Sequence, residues 1–155
     1  MKKTTLCYCL QNNLMLLGMK KRGFGSGKWN GYGGKVEQDE DIKNAAVREM
    51  REESGLVVKK EDLQQVALIR FYFDLNPVFE CHVFVTRAWY GQLIETDEMS
   101  PQWFAVEDLP YADMWADDIK WIPLILDGLK IDADINFDAA GSVVKEFEYR
   151  LVEFD

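Results

Sequence analysis

Residues 34–56, GKVEQDEDIKNAAVREMREESGL, hold the acids most able to do chemistry. The apolar spacing predicts a helix over residues 41–54 that stops at Gly55, a glycine suited to a helix C-terminus. At ~100° per residue, Glu49 and Glu53 share a face with Ile42, Ala45 and Ala46. Carboxylates on an apolar stripe are costly unless they are paired or hold a metal. Arg48 and Arg51 point away from that stripe and do not obviously neutralise it. The chemistry implied is a divalent cation site on one helix face. Mg²⁺ takes hard oxygen ligands and is commonly held by carboxylates together with substrate phosphates. Glu49 and Glu53 stand one turn apart and can share a cation. Glu52 can hold a second ion or orient water, and Arg48, four residues before it, can fix its rotamer. A salt-bridged, solvated helix face is the plain alternative.

Around this segment the chain alternates strands and helices. Residues 6–10 and 14–19 read as strands joined by a turn at Asn12-Asn13. A glycine-dense stretch follows, KKRGFGSGKWNGYGGK, whose glycines permit close approach of a ligand. It has no GxGxxG leading into a helix and no GKS or GKT, which removes the Rossmann and P-loop readings. Residues 63–73 and 78–89 read as strands around a turn at Asn76-Pro77, and residues 103–106 as a short strand. A second helix is expected over residues 118–129, with Ile122, Ile125, Leu126 and Leu129 as its apolar stripe. Residues 131–137 and 143–154 read as a closing hairpin. With no repeat and no linker, the expectation is one mixed α/β domain over residues 1–155.

The bulk numbers agree with a folded domain: 155 residues, 48% hydrophobic and 13% aromatic. A formal net charge of −9 argues against a nucleic-acid polymer as ligand, because phosphate backbones call for a basic surface. A small phosphate ligand stays open, since a metal ion can supply the positive charge. Cys7, Cys9 and Cys81 form no CxxC and read as reduced core residues of a cytoplasmic protein. The apolar run near the N-terminus is short for a signal peptide, and no segment reaches the ~20 apolar residues of a membrane span. His82, in ECHVFV, reads as structural.

Gly34, Glu40, Arg48, Glu49, Glu52, Glu53 and Gly55 fit G-x5-E-x7-R-E-U-x-E-E-x-G-U, with Met50 and Leu56 at the aliphatic U positions. The segment resembles a Nudix box, the signature of hydrolases that cleave nucleoside diphosphates linked to another group. The resemblance implies an α/β/α sandwich with a mixed β-sheet, and Mg²⁺ (or Mn²⁺) on the box glutamates. It extends along nearly the whole chain. GMKKRGFGSGKWNGYGGKV, REESGL, DEMSPQWF and DMWADDIKWIP are similar to the mammalian-type MutT homologues, which hydrolyse oxidised purine nucleoside triphosphates. Carried over, metal ligands fall on the carbonyl of Gly33 and on Glu49, Glu52, Glu53 and Glu98. The base pocket falls on Thr5, Asn30, Phe71, Phe73, Met99, Trp115, Asp117 and Asp118. Lys20 and the backbone of Tyr32, Gly33, Gly34 and Lys35 fall on substrate-contact positions. The pattern departs from that group at Tyr32 for phenylalanine, Ala116 for proline and Phe79 for methionine, and by about two extra residues near 59–62.

Those pocket residues suit a purine. Trp115 and the phenylalanines offer flat faces for stacking, and Asn30 offers both a donor and an acceptor. Asp117 and Asp118, adjacent in an apolar pocket, should not both ionise easily. One proton exchanged between them would suit either an oxidised guanine or an oxidised adenine. Either acid can equally cap the helix that follows. Phe71 and Phe73 can be core, and Trp121 core or pocket wall. The implied reaction is Mg²⁺-dependent attack of water on a phosphorus of the chain, giving nucleoside monophosphate and pyrophosphate, with Glu49, Glu52, Glu53 and Glu98 all open as general base. A dinucleoside polyphosphate or ADP-ribose substrate, or a non-catalytic binding module, are the other readings. The expected partner is a small nucleotide, with no membrane and a monomeric state.

Overall fold

A computed structural model describes residues 1–155. The elements are β1 (Lys2–Gln11), β2 (Leu14–Lys20), β3 (Trp29–Asn30), α1 (Ile42–Ser54), β4 (Gln64–Phe73), β5 (Asn76–Thr86), β6 (Met99–Ala105), α2 (Asp118–Leu126), β7 (Ile131–Phe137) and β8 (Val144–Leu151). The strands form one mixed sheet in the order β3-β2-β1-β5-β4-β7-β8, with β6 paired to β2. β1–β5 and β4–β7 run parallel and the other pairs antiparallel.

Alternation along β1 divides the core between the two faces of the sheet. Tyr8 and Leu10 pack with Trp121, Ile122 and Ile125 of α2. Cys7 and Cys9 pack with Ala46 and Met50 of α1. One helix thus covers each face, which is the expected α/β/α layering. All three cysteines are free and buried. No helix is long and apolar enough to cross a membrane.

Helix α1 starts and stops where its sequence says it should. Asp41 accepts from the Asn44 N–H at 3.1 Å, and Gly55 closes the helix at φ 80°. Helix α2 ends at Leu126, a turn sooner than its apolar stripe suggests.

The β4–β5 turn is not at Asn76-Pro77. It is Asp74-Leu75, with φ 51° and 67°, and Phe73 pairs directly with Asn76. Two left-handed residues make the twist a two-residue hairpin needs, although neither is the usual glycine or asparagine. The turn is held from elsewhere: Asn136 Oδ1 accepts from the Leu75 N–H at 2.9 Å, and the Phe137 carbonyl accepts from the Asp74 N–H at 2.8 Å. Leu75 is 69% exposed, so its side chain contributes little. Leu75→Gly should raise stability by about 0.5–1 kcal/mol, net of the freedom glycine adds to the unfolded chain. Thermal melting should show a Tm gain of about 1–4 °C; a lower Tm would mean that the turn is unstrained.

Candidate functional site

The glycine loop runs beside β1. Thr5 N–H donates to the Gly34 carbonyl at 2.9 Å, and Cys7 and Tyr32 exchange backbone bonds of 2.7 and 3.1 Å. A Cβ on Gly33 would lie 1.8 Å from the Thr5 carbonyl oxygen, so only glycine fits. Gly34 faces α1, where a Cβ would come 2.7 Å from Glu49 Oε1. This close approach sets the loop backbone against the acidic face of the helix.

On that face Glu53 is 8% exposed and its Oε1 accepts from the Gly33 N–H at 3.2 Å. Burial pushes its pKa up to about 7; the Glu49 charge adds to the rise, while the Gly33 N–H and Lys20 oppose it. Burial also raises Glu49, with Arg48 pulling the other way. Arg48 neutralises the acids directly, contrary to its expected direction. Its guanidinium donates to Glu40 at 2.8 and 3.0 Å, Glu49 at 3.0 Å, Glu52 at 3.2 Å and the Lys35 carbonyl at 3.1 Å. A long flexible side chain can reach back across the helix surface where Cα directions suggest divergence. Glu98 is brought to the same end of α1 by its loop. Thr96 Oγ1 donates to the Glu53 carbonyl at 3.0 Å and accepts from the Met99 N–H at 3.3 Å. Glu98 itself accepts from Arg22 Nε at 2.9 Å.

As the side chains stand, no three acidic, histidine or cysteine groups converge tightly enough to hold a metal. Arg48 pairs with Glu49 and Glu52, and Arg22 with Glu98, as arginines do with carboxylates in reach. The donor set still fits a hard cation. It is all oxygen, it contains a buried carboxylate with one backbone partner, and it lies on a glycine backbone.

Beside this acidic face opens a cavity of about 250 Å³. Of the residues expected to contact substrate, Thr5, Lys20, Asn30, Gly33, Gly34, Lys35, Phe71, Phe73, Trp115, Asp117 and Asp118 line it. Met99 does not. It is buried with the α1 core, its Cε filling the space left by Gly18. The Tyr32 side chain is in the same core, so only the backbone of that residue faces the loop.

The cavity walls are aromatic. Phe73 stacks on Phe137 at 5.3 Å and Trp115 meets Phe137 edge-on at 5.9 Å. Phe24 and Phe137 line it and were not singled out from sequence; Cys81, read only as core, lines it too. Phe24 had a legible signal, an aromatic isolated among glycines in GFGSG. It is 60% exposed and packs 5.0 Å from Trp115. Lys28 Nζ lies 5.5 Å from the Trp115 ring centroid, within cation–π reach.

Asp117 and Asp118 are 2% and 3% exposed. The Asp117 side chain makes no helix cap. Its Oδ2 accepts from Trp121 Nε1 at 2.7 Å, which makes Trp121 both core and cavity wall. Burial pushes Asp117 up to about 6, against the Trp121 N–H. Burial and the Asp117 charge raise Asp118 well above the carboxylate range. Asp118 Oδ2 and Thr5 Oγ1 are two of only four buried side-chain polar atoms with no partner, and both residues line the cavity. Buried polar atoms without partners are costly, so two beside one cavity favour a polar ligand there.

The NUDIX domain family model matches residues 2–125. The oxidized purine nucleoside triphosphate hydrolase of Danio rerio is 48% identical over 126 residues, covering 81% of this chain and 80% of that protein. Its Mus musculus namesake is 43% identical over 152 residues, covering 97% and 94%. The mutator MutT protein of Bacillus halodurans superposes with a TM-score of 0.81 at 21% identity, over 96% of this chain and 97% of that one. That last likeness is one of fold alone. Matched along residues 2–125, and carrying in α1 the glutamates of the signature, the chain belongs to the Nudix family.

Proposed function

We propose that this protein is a Mg²⁺-dependent diphosphatase that hydrolyses oxidised or otherwise modified purine nucleoside triphosphates to nucleoside monophosphate and pyrophosphate, clearing the nucleotide pool. The observation that carries the reading is one cavity that joins an aromatic slot ending in paired acids to the glycine loop beside the α1 glutamates. The two oxidized purine nucleoside triphosphate hydrolases matched above support it.

Glu49, Glu52, Glu53, Glu98 and the Gly33 carbonyl would hold Mg²⁺, or Mn²⁺, which suits the same oxygen donors. When bound, the ion supplies charge neutralisation on the phosphates and a more acidic water. Lys20 and Lys35, both at the cavity, would bind the phosphate chain. The base would enter between Trp115 and the phenylalanines, and that apolar slot excludes water. Glu49, Glu52, Glu53 and Glu98 all stay open as the group that would take the proton of an attacking water. At the base edge, one acid of the pair would donate while its neighbour accepts. The raised pKa values of both support a shared proton. Free buried thiols suit a reducing, cytoplasmic setting, and the working unit is taken as a monomer.

The test is Mg²⁺-dependent pyrophosphate release from 8-oxo-dGTP, 2-oxo-dATP, O6-methyl-dGTP, dGTP and ADP-ribose. Oxidised purines should be cut fastest; a preference for ADP-ribose, or no release, would overturn the reading. Within that panel Asn30→Ala should lose base discrimination and keep phosphate chemistry. Leaving base-edge groups unpaired costs about 1–3 kcal/mol. Equal losses on every nucleotide would take Asn30 out of base recognition.

A further inference from the structure

The two sides of the base slot are joined behind its wall by one buried ring. Asn30 Oδ1 accepts from the Gly31 N–H at 2.9 Å, which turns its amide nitrogen away from the loop backbone. The backbone of Gly31 lies against Tyr8; a Cβ at residue 31 would stand 2.8 Å from Tyr8 Cε1 and Cζ. Tyr8 also meets Trp121 edge-on, centroids 6.2 Å apart and planes at 62°. Trp121 in turn donates its indole N–H to Asp117. An unbroken set of contacts therefore runs from Asn30 to Asp117, with Tyr8 at its middle.

Tyr8 is fully buried and is not among the residues lining the cavity. Its hydroxyl has no side-chain partner and no well-formed hydrogen bond; only the Gly31 backbone stands near enough to act on it. Burial, then the charges of Asp118, Cys81 and Asp117, hold that phenol well above its ordinary range against the Gly31 backbone, so it stays neutral. A buried phenol with at best one weak backbone contact is a poor choice for stability alone, since phenylalanine would fill the space without the desolvation cost. What the site needs from residue 8 is a wide, rigid ring that reaches both Gly31 and Trp121. A leucine at residue 8 has no ring to meet Trp121 edge-on.

We propose that Tyr8 is a positioning residue for base recognition. It sets the separation and facing of Asn30 and Asp117, and so the width of the slot the purine edge must bridge. The inference rests on the base-recognition reading given above. A ring buried between two packed neighbours has few alternative rotamers, so it transmits a fixed spacing.

The test measures kcat and KM for 8-oxo-dGTP and dGTP on the wild type, Tyr8→Phe, Tyr8→Leu and Ile131→Val. Ile131 is buried in the same core at the far end of β7 and serves as a control for general loosening. Tyr8→Leu should raise KM for 8-oxo-dGTP by ~10-fold or more while kcat stays within ~2-fold, because binding geometry is lost and phosphate chemistry is not. Tyr8→Phe, which keeps the ring, should hold both constants and the preference close to wild type. Ile131→Val should leave KM unmoved. If Tyr8→Leu does not fold, Tyr8→Met fills a similar volume without a ring and carries the same expectation. A folded Tyr8→Leu or Tyr8→Met with wild-type KM would overturn the proposal. So would a Tyr8→Phe loss as deep as that of Tyr8→Leu, or an equal KM rise in Ile131→Val. A wild type with no preference for the oxidised base would overturn the base-recognition reading, and this inference with it. A preference untouched at residue 8 would overturn this inference alone.

Discussion

Glu53→Gln should cost ~10²-fold or more in kcat with saturating substrate and ordinary Mg²⁺, the scale of losing one positioned electrostatic stabiliser. The amide keeps the shape of the side chain, and its oxygen can still accept from the Gly33 N–H. What disappears is a buried charge beside Glu49 and, on the proposed reading, part of the grip on a cation. Folding should survive and improve. The pKa of Glu53 is raised to about 7, so the folded state binds its proton more tightly than the unfolded chain does. Stability from that proton is full below the ordinary carboxylate range and is lost as pH rises through about 7. In chelator at pH 8 the Gln variant should therefore melt above the wild type. Near-full turnover would remove Glu53 from the proposed metal site; a lower Tm in chelator would mean that its buried charge costs the fold nothing.

Asp117→Asn and Asp118→Asn should each shift the ratio of 8-oxo-dGTP to 2-oxo-dATP activity, and by different amounts. An asparagine donates as a protonated acid does but cannot give up its donor when the base edge changes. Losing one matched bond in a closed slot costs about 1–3 kcal/mol in kcat/KM, or about 5- to 150-fold. Asp117 keeps an acceptor oxygen for Trp121 in either form, so its variant should hold the indole. Asp118 has an oxygen with no partner, so its variant should show the larger change at the substrate. The pH dependence has a definite sign. Both acids are raised by burial, Asp117 to about 6, so stability falls as pH climbs from the ordinary aspartate range through about 6. Each Asn variant should flatten that decline and melt higher than wild type at pH 8. A helix-cap role predicts unchanged ratios, because asparagine caps as well as aspartate does.

The acidic helix was legible because its signals are local. The cap at Asp41, the stop at Gly55 and the shared face of Ala45, Ala46, Glu49 and Glu53 all lie within one segment of sequence. Met99 and the β4–β5 turn were not legible, for the opposite reason. Met99 is drawn out of the cavity by the absence of a side chain at Gly18, across a strand pair that sequence spacing does not reveal. Asp74-Leu75 carries no ordinary turn chemistry and is imposed by Asn136 on another strand. Arg48 was misjudged because side-chain reach, not Cα direction, decides whom a guanidinium meets. Phe137 lies at the end of a strand read correctly, but nothing in its own neighbourhood says that it stacks on Phe73.

The parallel pairing of β1 with β5 has a consequence for the chain while it is being made. β1 can zip to β2 at once, and α1 can form as soon as it emerges. The other edge of β1 has no strand beside it until residues 79–86 arrive. The cavity has no Phe137 wall until β7 is complete. Through most of synthesis this protein therefore presents an open strand edge and an unfinished apolar slot, the two features that most invite association with other chains. Pairings so distant in sequence also put folding among the slower mixed-topology domains. Translation stalls before residue 137 should yield aggregation-prone fragments, and a holding chaperone should find its target among the aromatics that later line the cavity.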